Sequence, residues 1–251
     1  TQWKRANQFF WKTVSFMVPW FVKKYFLSKM DIVIVPSVWL QKKLRLKNSI
    51  VIRHGINVRH FKKVPSKHKL RVSYFGHIDP AKGFLEVIHT MKNLEYDVSI
   101  YPTRMNDKLR RYIRKCSPHI KVNGLVKDIR KAYNEADVVL LPYRHASGAI
   151  ATPLVLLEAM ACERAVITTD LPHIREICGN SVLYVKPNDV KGMERAVRRL
   201  AGDSKLRREL GKRARKRVVD NYDEKAMLKS YDKLYEALSH GISPKRILQT
   251  L

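Results

Sequence analysis

Two charged residues stand in surroundings suited to a phosphorylated ligand. Glu158 is the lone charge in the apolar run behind Thr152 and Pro153, within RHASGAIATPLVLLEAMACERAVITTD, Arg144 to Asp170. Thr152 is expected to N-cap a helix there, with Pro153 at its first position and Leu154 next. The loop before it is built of small residues, Ala146, Ser147, Gly148 and Ala149. A helix N-terminus behind such a loop offers free backbone N–H groups and the positive end of a dipole, which suits a phosphate. Glu158 lies about six residues into the helix, roughly 8 Å from its start at about 1.5 Å per residue. A diphosphate at the N-terminus would bring an attached ribose to that carboxylate, which accepts hydrogen bonds from two sugar hydroxyls. The plainer reading is a helix carboxylate paired with a nearby Lys or Arg.

The second residue is Lys82, in the loop GHIDPAKG from Gly76 through His77 to Gly83. Glycine lets a ligand approach the backbone closely, and Lys82 adds a mobile positive charge beside it. The spacing is neither that of a P-loop nor GxGxxG. Taken alone, Lys82 reads as a solvated lysine near a turn. A third loop, Asn123-Gly124-Leu125-Val126, offers backbone groups to a base at Val126, or is simply a turn.

What must position these loops is a succession of strands and helices. From Leu70 the pattern alternates regularly: strands at Leu70–Phe75, Tyr96–Tyr101, Ile120–Val122, Asp137–Leu141, Ala165–Thr169 and Ser181–Val185, with helical stretches between them. The short, continuous apolar runs are those of strands buried on both faces. The fold class is therefore α/β, a Rossmann-like parallel sheet with helices on both faces. Ligands of such sheets sit at the carboxyl ends of the strands, where all three loops fall.

The chain has 251 residues, 45% of them hydrophobic, enough for one good core or slightly more. Cys116, Cys162 and Cys178 show no CxxC pairing and no metal-ligand spacing, so they read as buried thiols of a reducing, cytoplasmic compartment. Fifty Lys plus Arg against twenty-two Asp plus Glu give a formal charge of +28, more than one diphosphate requires. An anionic partner such as a membrane surface or an acidic polymer fits that excess. Nucleic acid is set aside, because the basic residues are spread along the chain and no zinc finger, aromatic RNA motif or helix-turn-helix is present. The densest run, Lys205–Arg217, reads as a solvated surface helix.

Four segments are expected. Residues 1–60 form a partial N-terminal unit whose leader is aromatic and basic, with Pro19 kinking it and Lys12, Lys23 and Lys24 interrupting any bilayer-length apolar run. That leader either lies in an anionic membrane interface or packs into a domain, and the strand-like Asp31–Ser37 that follows favours packing. Residues 61–69 are a linker, 70–221 the ligand-binding domain, and 222–251 a C-terminal crossover helix and tail.

The succession FGHIDPAKG, NGLV, EADVVLLPYR, TPLVLLEAMA and AVITTD resembles the nucleotide-sugar-binding half of the family 4 glycosyltransferases of the GT-B fold. Upstream, DIVIVPSVWLQKKL and IVIRHGINVRHF are similar to that family's crossover from its N-terminal domain. The resemblance runs from about Asp31 to Leu238. It implies a retaining, metal-independent transfer of a sugar from a UDP- or GDP-sugar to a glycan or lipid-linked acceptor; the aromatic, basic leader and the positive charge fit a peripheral association with an anionic membrane. Lys82 corresponds to the family's diphosphate-binding lysine, and Glu158 to the second of two motif glutamates, which holds the ribose. The first glutamate, eight positions earlier, is replaced by Ile150. His77 stands where arginine is common, and Glu163 and Ala165 replace the usual Gly and Pro.

Family members carry a whole acceptor-binding domain where about 60 residues stand here, so this polypeptide alone is expected to bind a nucleotide sugar better than it transfers one. The alternative is a degenerate, non-catalytic module of the same fold that binds an anionic polymer or nucleic acid. An epimerase or phosphorylase of the same architecture is the remoter third.

Overall fold

A computed structural model describes residues 20–65, 70–105, 107–146 and 152–250. The leader before Trp20, and Ser147 to Ala151 of the small-residue loop, lie outside the described residues. The chain divides into two compact units, one built from the described residues up to Ile52 together with those from Tyr231 on, the other from Arg53–Ser230.

In the first unit, helix α1 (Trp20–Ser28) precedes strand β1 (Val33–Val35), helix α2 (Val38–Leu44) and strand β2 (Ser49–Val51). β1 and β2 pair in parallel, Val33 opposite Ser49 and Val35 opposite Val51. Ser37 caps α2 by accepting from the Leu40 N–H. Asn48 donates to the carbonyls of Leu27 and Met30, which closes the end of α1.

The second unit is the α/β domain expected from the sequence. Its strands are β3 (Arg71–Gly76), β4 (Asp97–Pro102), β5 (Lys121–Val122), β6 (Val138–Leu141), β7 (Ala165–Thr169) and β8 (Leu183–Val185). They form one parallel sheet in the order β5-β4-β3-β6-β7-β8. Between them run a short 3-10 turn (Pro80–Lys82) and helices α3 (Phe84–Lys92), α4 (Asp107–Cys116), α5 (Ile129–Glu135), α6 (Leu154–Ala161) and α7 (Pro172–Cys178). Helices α8 (Val190–Gly202), α9 (Ser204–Asn221) and α10 (Glu224–Ser239) follow β8, and α11 (Pro244–Thr250), in the residues of the first unit, ends the described chain.

Strand side chains alternate between two cores, as the two-residue period of a strand requires. On one face Phe75, Tyr101, Val139, Leu141 and Val166 meet α5, α6 and α7. On the other Val72, Tyr74, Ile100, Leu140 and Ile167 meet α3 and α8. β6 and β7 are buried along their whole length, which explains why their sequences are apolar without alternation.

The described residues that lead into the expected linker have an apolar core side. Ile56 and Val58 are buried in the first of these cores, and Phe61 stands edge-on to Tyr133 with ring centroids 6.2 Å apart. Asn134 fastens the segment further by donating to the Lys62 carbonyl and accepting from the Val64 N–H.

The basic run Lys205–Arg217 is not simply a solvated face. Its helix α9 buries Leu210, Gly211, Ala214 and Val218, and Arg215 and Arg217 turn inward as donors. Arg215 bonds the carbonyls of Val58, Phe61 and Ala161, and Arg217 those of Glu176 and Ile177. Those of Ala161, Glu176 and Ile177 lie at or near the ends of α6 and α7, where carbonyls lack an intrahelical partner.

Candidate functional site

The strand order reverses beside β3, where the chain first builds outward through β4 and β5 and then returns to place β6 on the other side. Loops after β3 and β6 therefore leave the sheet in opposite directions and open a crevice at its carboxyl edge. Three contacts hold these loops together. The Arg144 N–H donates to the Ala81 carbonyl at 3.0 Å, the Arg144 guanidinium pairs with the buried carboxylate of Glu86 on α3, and Gly83 lies against the Pro142 carbonyl. On the far side of β6, Thr168 and Thr169 hydroxyls donate to the carbonyls of Leu141 and Tyr143.

The loop after β3 is a series of local devices. Gly76 has φ 127° and Gly83 φ 69°, both in the region glycine enters without penalty. Asp79 caps the 3-10 turn by accepting from the Ala81 N–H at 2.8 Å. Tyr74 donates to the His77 carbonyl at 2.6 Å, and the His77 Nδ1 lies 2.6 Å from the Thr103 hydroxyl at the end of β4.

A cavity of about 160 Å³ occupies this crevice, lined by Gly76, His77 and Lys82 from one loop, Thr103 and Tyr143 from the neighbouring strand ends, and Pro153, Leu154 and Val155 from the start of α6. Lys82 and the N-terminus of α6 thus face one volume, though 71 positions separate Lys82 from Pro153 in the chain. The helix begins slightly later than the sequence indicates. Pro153, with ψ 110°, is the N-cap and makes no side-chain cap bond, so Leu154 is the first helical residue. Thr152 lies before the cap, and its hydroxyl is buried with no hydrogen-bond partner among the described residues.

Glu158 is the fifth residue of α6 and does not line that cavity. Among the described residues its partner is neither Lys nor Arg. The Tyr133 phenol, on α5, donates to its Oε2 at 2.7 Å. Burial raises the Glu158 pKa above the ordinary carboxylate value, and the bond from Tyr133 opposes that rise. Tyr133 itself is pushed well above the usual phenol value, first by burial and then by the negative charge of Glu158. It therefore keeps its proton and acts as a donor.

Of the residues singled out from sequence, Gly76, His77, Lys82, Pro153 and Leu154 share the cavity, with Gly83 and Thr152 immediately behind its walls. Val126 is exposed and lines no part of it. Ser147, Gly148 and Ile150 lie outside the described residues. Thr103, Tyr143 and Tyr133 were not foreseen. Thr103 was within reach of the argument that located Lys82, because it too follows a strand; the tyrosines carried no such signal. Among the described residues no group of three His, Cys, Asp or Glu side chains is placed to hold a metal ion.

A six-stranded parallel sheet with helices on both faces and a crevice at its carboxyl edge defines the chain as a Rossmann-like α/β protein. The fold matches sucrose-phosphate synthase from Thermosynechococcus elongatus with a TM-score of 0.76 at 24% identity, over 88% of this chain and 62% of that one. It matches Anabaena HepE, solved in complex with UDP-glucose, with a TM-score of 0.71 at 16% identity, over 88% of this chain and 67% of that one.

The sequence profile described as "Glycosyl transferases group 1" matches residues 69–203, more than half of the chain, and the protein belongs to that family. Among curated relatives, the phosphatidyl-myo-inositol mannosyltransferase of Mycolicibacterium smegmatis is 27% identical over 207 residues, 76% of this chain and 53% of that protein. The chain spans about half the length of the curated relatives that match it over the most residues.

Proposed function

We propose that this chain carries the donor half of a retaining, metal-independent glycosyltransferase that moves a sugar from a UDP- or GDP-sugar to a glycan or lipid-linked acceptor. The observation that carries the reading is the convergence of Lys82 and the N-terminus of α6 on one cavity at the carboxyl edge of the sheet. Lys82 and the helix N–H groups supply positive charge where a diphosphate leaves, which is the main electrostatic demand of such a transfer. Glu158, one turn further along α6, is the acceptor for the ribose hydroxyls. Gly76 and Gly83 keep the loop backbone close enough to the phosphates for its N–H groups to share the charge.

No helix among the described residues is long and apolar enough to cross a membrane. The +28 formal charge supports peripheral contact with an anionic surface, where each nearby Lys or Arg contributes about 1 kcal/mol.

Calorimetry with UDP-glucose, UDP-N-acetylglucosamine and GDP-mannose tests the reading. One of them should bind, and Lys82→Ala should weaken it about 10- to 100-fold, the worth of one charge-assisted phosphate contact. No binding of any donor, or binding indifferent to Lys82→Ala, would count against it.

A second reading, a non-catalytic module of the same fold, is favoured by Ile150 at the position of the family's first motif glutamate. It predicts polyanion binding that falls steeply with salt and no nucleotide binding.

A further inference from the structure

We infer that Tyr133 is a positioning residue for the ribose: its phenol fixes one oxygen of Glu158 and so leaves the other turned toward the sugar. This rests on the reading of Glu158 as the ribose acceptor and adds a residue from another helix to it. A carboxylate on an isolated helix rotates among several rotamers, and binding must then overcome that freedom. Here the freedom is removed in advance. Tyr133 donates to Oε2 at 2.7 Å, while Oε1 has no hydrogen-bond partner among the described residues and Glu158 is only partly buried.

The tyrosine is itself held rigidly. It is 1% exposed, its ring lies 4.3 Å from that of Phe75 and 6.2 Å from that of Phe61, and Asn134, the next residue, anchors α5 to Lys62 and Val64. A phenol in such surroundings that donates to a charged acceptor is a preorganised group of the kind that sites use to orient a ligand-binding side chain.

Tyr143 and Cys162, the titratable groups that bear on Tyr133 besides Glu158, keep their protons near pH 7, and the arginines nearby stay charged. Tyr143 bears on Tyr133 and is raised well above the phenol value by burial. Cys162, one turn along α6, is pushed up to about 11 by burial, and Arg164, Arg215 and Arg130 act on that thiol. The bond from Tyr133 is the influence that lowers the Glu158 pKa. Removing the phenol should therefore raise it, and ribose binding should be lost at a higher pH as the solution is acidified.

The experiment compares the wild type, Tyr133→Phe and Glu158→Gln by calorimetry with UDP and 2′-deoxy-UDP, or GDP and 2′-deoxy-GDP where the guanine nucleotide is preferred, from about pH 4 to 8. The expected result is that Tyr133→Phe weakens the ribonucleotide about three- to tenfold and weakens the deoxynucleotide, which keeps only its 3′-hydroxyl, less, with the acid limb of ribonucleotide binding moved to higher pH. A purely packing role would weaken both nucleotides alike. Glu158→Gln should abolish most of the preference for ribose. If it does not, or if the wild type binds neither nucleotide, the underlying reading of Glu158 falls and this inference with it. If Glu158→Gln removes the preference while Tyr133→Phe keeps both the preference and the pH profile, Glu158 stands and the role of Tyr133 is overturned.

Discussion

Gly83 faces the carbonyl of Pro142 so closely that a Cβ built on it would stand 1.8 Å from that oxygen. The backbone after β3 and the backbone after β6 are thus in direct contact behind the Lys82 loop, and no side chain fits between them. The positive φ of 69° at the same residue adds a second penalty for any L side chain. Gly83→Ala should cost about 2 kcal/mol or more and should also weaken nucleotide binding, because the loop can relieve the clash only by moving away from the cavity. Thermal unfolding and calorimetry together check this; a variant with unchanged melting and unchanged affinity would show that the two loops are not packed as described.

Glu158→Gln should stabilise the fold at neutral pH while it removes ribose binding. The direction follows from the raised pKa of the carboxylate. The folded state holds its proton more tightly than the unfolded state does, so stability falls as pH rises from the unfolded pKa through the folded one. Above that window the charged form carries the full burial cost, and the neutral amide escapes it. Denaturant unfolding of both proteins at pH 7 and at about pH 4 reads the difference, which should be larger at pH 7. Equal differences at the two pH values would mean that Glu158 is better solvated than its surroundings indicate.

Arg164 is a buried guanidinium used as a structural cap. It donates to the carbonyls of Cys162, Asn134 and Ala136, at or near the ends of α6 and α5. Burial lowers its pKa from the usual arginine value, against the pull of Cys162, Asp137 and Glu163. Arg164→Met keeps most of the apolar stem but strands those acceptors, and should cost about 2–3 kcal/mol. Arg164→Lys should recover little, because a single ammonium cannot reach carbonyls arranged for a planar fork. Chemical denaturation of both variants tests this, and a lysine variant as stable as the wild type would contradict it.

Gly211 on α9 presents no side chain because the Glu163 carbonyl occupies the place: an added Cβ would lie 2.2 Å from it. Helix propensity alone favours Gly211→Ala by about 1 kcal/mol, whereas pushing α9 off that carbonyl costs about 1–3 kcal/mol. The clash should win, giving a net loss of about 1–2 kcal/mol by urea unfolding. A more stable alanine variant would mean that α9 sits loosely on the end of α6.

Much of the fold was legible because its strands are buried on both faces. Val138–Leu141 and Ala165–Thr169 are uninterrupted apolar or threonine runs for that reason, and the loops behind such strands locate the carboxyl edge. Three things were not legible. The bond between Tyr133 and Glu158 joins residues from different helices, and no spacing rule links them. The start of α6 was placed at Pro153 because proline favours a first helical position, but there its ψ of 110° makes it the cap instead. Glu163 sits at φ 57°, a left-handed conformation that usually falls to glycine and that its sequence did not signal, and it is held by Lys63 at 3.2 Å and Arg215 at 4.0 Å.

The arginines of α9 bear on how a charge count should be interpreted. Sequence arithmetic treats all fifty Lys and Arg as equivalent contributions to an outward-facing field. Arg215 and Arg217 work instead as cross-braces, each tying a helix end to its surroundings through main-chain oxygens. Neutralising the chain to improve handling, or to ask whether it adheres to anionic surfaces, should therefore begin with exposed lysines such as Lys205 and Lys212. Replacing the bracing arginines would confound a question about adhesion with one about folding.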